Sequence, residues 1–171
     1  MILRDLIKDD IQSPDWWVCD YVVSNIDFSQ SILLEIRKFN PLLQNIFAAH
    51  CFLDEVNNGG LDYYYDTTSG FLRNFAMRAF GAMENKKVFN LLKTSNYIIE
   101  KAEIRTRDFI VGRIEELTDE ESKRIQLLNK EFNRLNENDA LYEDIAKYVL
   151  DNLDENIDPP EEDNFVYIID D

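Results

Sequence analysis

The sequence predicts an all-α fold: a single multi-helix domain with an acidic carboxy-terminal extension. Three observations lead there. Apolar residues recur at three- and four-residue spacing, as at Ile32, Leu33, Ile36 and Phe39, the period of a half-buried helix. Five glycines and four prolines in 171 residues are few for turn-rich sandwiches or barrels. Helix starts are marked at Ser13-Pro14-Asp15 and Thr118-Asp119-Glu120-Glu121, where a capping hydroxyl precedes a first-turn proline or a glutamate that can reach back. The 45% apolar and 12% aromatic content suffices for one buried core.

The first helix runs from Pro14 to about Val23, and Trp16, Trp17, Tyr21 and Val22 send it across the core. Residues 29–39 read as a second helix, broken by Asn40-Pro41. From Pro41 a longer helix places Leu42, Leu43, Ile46, Phe47, His50, Leu53 and Asp54 at helical spacing. It stops near Asn58, because Asn57-Asn58-Gly59-Gly60 tolerates a left-handed backbone. Residues 61–66, with Tyr63, Tyr64 and Tyr65, form a short segment ended by the turn cluster Thr67-Thr68-Ser69-Gly70. Residues 71–83 read as a core helix, and 84–102 as another after a break near 81–85. Residues 103–117 read as a connection, since Gly112 follows the β-prone Phe109-Ile110-Val111.

The capping box at Thr118 starts a helix with Ile125, Leu128, Phe132 and Leu135 on one face. Asn138 or Asn136 caps the last helix. Its Leu141, Ile145, Tyr148, Val149 and Asn152 lie opposite Glu143, Lys147, Asp151 and Asp154. Asp158-Pro159-Pro160 ends it. The domain therefore spans residues 1–153, and 154–171 form an acidic tail. Within that tail, Phe165-Val166-Tyr167-Ile168-Ile169 either packs back on its own chain, mediates self-assembly, or docks as a strand on a partner.

Charge is the strongest functional signal. Thirty-four acids against eighteen bases leave a net of −16, and residues 135–171 hold thirteen of those acids against the single base Lys147. Such a field repels nucleic acid and anionic membrane and attracts basic protein surfaces. A solubilising role is the plain alternative. If one helix ran from 137 to 158, Glu137, Asp144, Asp151, Glu155 and Asp158 would share a stripe about 60° wide and ~31 Å long. That spacing is within about a factor of two of one DNA strand's charge repeat. If the helix is capped after Glu137 and ends before Asp158, Asp144 and Asp151 remain as the secure pair.

Sites for chemistry are sparse. His50, the only histidine, has Asp54 four residues on, but no nucleophile motif accompanies them. A satisfied structural histidine is the favoured reading. Cys19 and Cys51 sit among apolar neighbours and read as reduced, buried thiols. No zinc spacing is present, and the carboxylates at 154–158 match an EF-hand loop only in its first half. Asn58-Gly59-Gly60 lacks the lysine of a phosphate cradle. Of three consecutive tyrosines on a helix, at least one faces the core and another solvent. No cofactor or metal is expected. No segment reaches the roughly 18 apolar residues of a membrane span, and the first ten residues do not read as a secretory signal, so the default location is cytoplasmic.

With these residues laid out, Leu53-Asp54-Glu55-Val56-Asn57-Asn58-Gly59-Gly60-Leu61, Tyr64-Tyr65 and Ser69-Gly70 resemble a bacterial family of domains of unknown function that includes a DNA-mimic protein. Further likeness at residues 79–82, Leu91-Leu92 and 129–149, including Lys147-Tyr148-Val149, extends it over most of 44–152. The resemblance implies an all-α fold, often a homodimer, without enzymatic activity. In the DNA-mimic member, surface carboxylates imitate the phosphate backbone on a transcription factor's DNA-binding face. The expectation for this chain is a non-catalytic acidic protein that binds a basic partner, such as a DNA-binding protein, and neither nucleic acid nor membrane directly. The partner-binding residues expected are Glu137, Glu143, Asp144, Asp151, Asp154, Glu155 and Asp158. Two alternatives remain: an immunity or antitoxin-like inhibitor of a basic nuclease, and a small-ligand or enzymatic domain using His50 and the tyrosines.

Overall fold

The computed structural model describes residues 7, 13–106 and 117–152. Seven α-helices and two 3₁₀ turns lie between residues 13 and 152, with no strand among the described residues. Helix α1 spans Pro14–Ser24, α2 Ile32–Ile36, α3 Pro41–Asp66, α4 Arg73–Ala82, α5 Lys86–Thr106, α6 Asp119–Leu135 and α7 Ala140–Asp151. The 3₁₀ turns are Thr68–Leu72 and Glu137–Asp139.

Helix α3 is the axis of the fold, with α1, α4, α6 and α7 packed against it. Asn40 starts it, accepting from the Leu43 amide at 2.9 Å, with Pro41 in the first turn. At its centre the fully buried Phe52 meets three rings edge-on. They are Tyr64 beyond the bend in α3, Phe80 of α4 and Phe132 of α6, at centroid distances of 5.1, 5.8 and 5.5 Å. Edge-to-face packing adds about 0.5–1.5 kcal/mol per pair to the burial itself.

Helix α3 does not stop at Asn58. It bends at Gly60, whose φ of 82° and ψ of −178° are accessible in practice only to glycine, and resumes to Asp66. The amide of Leu61, freed by the bend, donates to Asn129 Oδ1 of α6 at 2.7 Å. Gly59 is required for a different reason: a Cβ there would lie 2.4 Å from Tyr63 Cβ. Of the three tyrosines, Tyr64 and Tyr65 are buried and Tyr63 is half exposed. Tyr65 donates to Asn96 Oδ1 at 2.6 Å and lies 2.7 Å from Ser95 Oγ.

Several sequence expectations are corrected. The helix expected over 29–39 shrinks to five residues, because Asp27 organises a turn ahead of it. Its side chain accepts from the Ser29 amide at 2.9 Å, and its own amide donates to Glu35 at 3.1 Å. Ser13 precedes α1 without a side-chain capping bond. Helix α4 starts two residues later than expected, after a 3₁₀ turn. Glu84, at φ 58°, separates α4 from α5, and Asn85 caps α5 by accepting from Val88 at 3.1 Å. Helix α5 then continues through 103–106, which the sequence suggested was a connection. Arg105 in its last turn grips Glu121 through two bonds of 3.0 and 2.9 Å. Residues 107–116 lie outside the described residues.

The capping box at Thr118 forms as expected, with Glu121 donating its amide to the Thr118 hydroxyl and accepting the Thr118 amide. Neither cap candidate stands at the N-cap of α7, which is Asp139 without a side-chain bond; Asn136 caps from further back, its Oδ1 accepting from the Leu141 amide at 3.1 Å. Cys19 and Cys51 are free thiols, the first buried and the second partly so.

Candidate functional site

Two features meet at α7: an exposed acidic surface and a polar network that fastens the helix to α3. Leu141, Ile145 and Val149 turn inward, while Glu143, Asp144, Lys147 and Asp151 stay exposed. This is the sidedness the sequence implied. Glu137 is exposed as well, but it is not on the helix. Asn138 and Asp139 take left-handed conformations, φ 57° and 60°, so Glu137 belongs to a separate turn. At the other end α7 stops at Asp151, with Asn152 as its C-cap. The continuous stripe from 137 to 158 is therefore not formed. Asp144 and Asp151, seven residues apart on one face, are what remains of it, about 10.5 Å along the axis. Asp154, Glu155, Asp158 and the apolar run at 165–169 lie outside the described residues, as does the proposed tail as a whole.

Asp144 accepts from Asn85 Nδ2 at 2.8 Å, which brings the α4–α5 turn and its exposed Glu84 beside α7. Sequence reading missed Glu84. Its neighbour Asn85 caps a helix 55 residues before α7, and nothing in the local pattern ties that turn to Asp144.

The network beneath is built from the quoted motif. Tyr142 of α7 donates to Asp54 Oδ1 at 2.6 Å and accepts from Asn57 Nδ2 at 3.2 Å. Asn57 Oδ1 in turn accepts from Asn136 at 3.1 Å, the residue that caps α7. Glu55 accepts from Ser69 at 3.1 Å, holding the 3₁₀ turn. His50 closes the network. Its Nδ1 lies 3.0 Å from Asp15 of α1 and its Nε2 3.3 Å from Asp54, with its ring edge-on to Tyr142 at 5.7 Å.

Burial alone would lower the His50 pKa, but its bonds to Asp15 and Asp54 win and raise it to about 12. Burial works to raise Asp54, yet the bonds from His50 and Tyr142 hold it below the ordinary carboxylate value. Burial, and then the Asp54 carboxylate it donates to, push the Tyr142 phenol up. Burial also raises the Cys19 thiol, which lies within reach of His50. His50 is thus an imidazolium with both nitrogens committed, a structural cation between two carboxylates. The arrangement ties α1, α3 and α7 together, and Asp15 serves as an ion-pair partner rather than only as a first-turn acid.

Over residues 37–152 the sequence matches the profile of the family described as DMP19-like protein. The chain belongs to the DMP19-like family. Neither a search of curated proteins nor one of solved structures returns a significant match. The match covers α3 to α7 and so includes the bend, the acidic helix and the network apart from Asp15 of α1. No helix among the described residues is long and apolar enough to cross a membrane. Among the same residues, no cluster of histidine, cysteine or carboxylate side chains has the arrangement of a metal site.

Proposed function

We propose that this DMP19-like chain is a non-catalytic binding protein that acts as a DNA mimic, presenting carboxylates to the nucleic-acid-binding face of a basic protein. The observation that carries the reading is the exposure of Glu137, Glu143, Asp144 and Asp151 on and beside a helix fastened from below through Tyr142 and Asn136. A phosphate-like surface works best when its charges are held in place before the partner arrives, because less side-chain and backbone freedom is lost on binding. Asp144 and Asp151 repeat at about three of the 3.4 Å steps between charges on one DNA strand. Lys147 is the one base on that face, one turn beyond Glu143 and able to pair with it.

The non-catalytic part of the reading rests on His50. A general base needs a free lone pair near the working pH. With both nitrogens engaged and the pKa raised to about 12, this imidazole has none.

The test is affinity capture from the native lysate with wild type and with a Glu143→Gln, Asp144→Asn, Asp151→Asn variant. The expected result is a basic DNA-binding protein held at low salt, released at high salt and lost by the variant. Equal capture by both proteins at both salts refutes the reading. A captured basic nuclease would move the function to nuclease inhibition through the same surface.

A further inference from the structure

A cleft of about 410 Å³ opens between α2, the first 3₁₀ turn, α4 and α5, and Arg37, Arg73 and Arg78 all line it with a single carboxylate, Glu103. Three guanidinium groups in one cleft run against the net charge of −16. Their commitments differ. Arg73 and Glu103 form a two-pronged pair, 2.8 Å on each prong and largely buried, which neutralises itself and makes a fixed wall. Arg78 is positioned by neutral acceptors, with Nε 2.9 Å from Asn45 Oδ1 and Nη2 3.0 Å from Gln44 Oε1. Among the described residues no ion pair cancels its charge, and the guanidinium lies 4.8 Å over the Phe75 ring. Arg37, the exposed C-cap of α2, has no ion pair among the described residues.

The cleft therefore offers two unneutralised guanidiniums beside an apolar surface made by Leu33, Phe71 and Phe75. Its volume falls within the range of small-molecule sites. Planar guanidinium forks suit phosphate oxygens, and two uncancelled positive charges balance a dianion. We propose that this cleft binds a small organic phosphate monoester, its phosphate on Arg37 and Arg78 and its apolar body on Phe71 and Phe75. The site is built by α2, the first 3₁₀ turn, α4 and α5, shares no residue with the acidic surface of α7, and does not depend on DNA mimicry.

Isothermal titration calorimetry of the full chain in phosphate-free buffer tests this, with phenyl phosphate, a nucleoside monophosphate and inorganic phosphate as separate titrants. The expected result is saturable binding of phenyl phosphate at one site per chain, weaker for inorganic phosphate. Arg37→Ala, at an exposed position, should keep the wild-type melting temperature and weaken binding by at least about tenfold, the loss of one charge-assisted contact. Phe71→Ala should weaken phenyl phosphate while leaving inorganic phosphate unchanged. Tighter binding of the nucleoside monophosphate would support the site and narrow its ligand to nucleotides. Absence of saturable binding at millimolar ligand, or unchanged affinity in Arg37→Ala, overturns the proposal.

Discussion

Gly60→Ala should be among the most damaging single-methyl additions to this protein. The backbone at Gly60 sits at φ 82° and ψ −178°, a region costing an alanine about 1–3 kcal/mol. The added Cβ would also lie 3.0 Å from Asn129 Nδ2 and 3.2 Å from its Oδ1, the oxygen that accepts the Leu61 amide. Moving Asn129 aside leaves that amide unsatisfied, a further penalty of about 1–3 kcal/mol. The sum, roughly 2–6 kcal/mol, is a large share of the 5–15 kcal/mol typical of a domain. For a chain of this size, at about 3 °C per kcal/mol, it corresponds to a fall in Tm of roughly 6–18 °C. Gly81→Ala is the matched comparison. That exposed residue lies within α4, and its ideal Cβ meets Phe89 at an ordinary 3.4 Å, so the substitution should be neutral or gain up to about 1 kcal/mol of helix propensity. Urea unfolding followed by far-UV circular dichroism, with the m-value checked for constancy, reads both. A Gly60→Ala midpoint within about 0.5 kcal/mol of wild type, or an equal loss in Gly81→Ala, would refute the reasoning.

Tyr142→Phe removes the hydroxyl joining α7 to Asp54 and Asn57; because Asp54 is half exposed, water replaces part of the bond, and a loss of about 1 kcal/mol in urea unfolding is expected. A loss in the Tyr142→Phe, Asn57→Ala double variant equal to the sum of the single losses would argue against a shared network. The only histidine should give one imidazole NMR signal that does not titrate between about pH 5 and about pH 9. Since the folded pKa of His50 is raised to about 12 from 6.5, its stabilisation is complete below pH 6.5 and is lost progressively as pH rises toward 12. His50→Gln should flatten that slope, and a histidine titrating near 6.5 would contradict the ion-pair assignment. Glu121, drawn down to about 2 first by Arg105 and then by the Thr118 amide, contributes stability that is present above pH 4.5 and lost as pH falls toward 2. Glu121→Gln should cost about 1 kcal/mol at neutral pH and unfold less steeply in acid.

Local grammar was legible in the sequence where the deciding residues are neighbours. The Thr118 capping box, the Asn40-Pro41 start and the two-sidedness of α7 depend on spacings of one to four residues, and all are present. The helix expected over 29–39 was not legible, because Asp27 and Glu35 use their carboxylates on backbone amides that periodicity does not count. The bend at Gly60 was foreseeable as a break, but not its continuation, because the cap on Leu61 comes from Asn129, 68 residues away. The same limit applies to the site. Asp54 beside His50 was visible at i, i+4, whereas Asp15 and Tyr142 reach the network from 35 and 88 residues away. The exposed acids of α7 could be read from the pattern. The detachment of Glu137 was one of the two readings the sequence left open, and the left-handed Asn138 and Asp139 decide for it; the part played by Asn136, which reaches the Leu141 amide from five residues back, was not legible.

Competition between this chain and duplex DNA for the captured partner goes to the core of the proposed function. Partner immobilised with its DNA should release that DNA as wild-type chain is added at a fixed low salt, where both complexes are tight. The Glu143→Gln, Asp144→Asn, Asp151→Asn variant should displace far less. A stable ternary complex of partner, DNA and this chain would contradict the account, because it would place the acidic helix somewhere other than the nucleic-acid site.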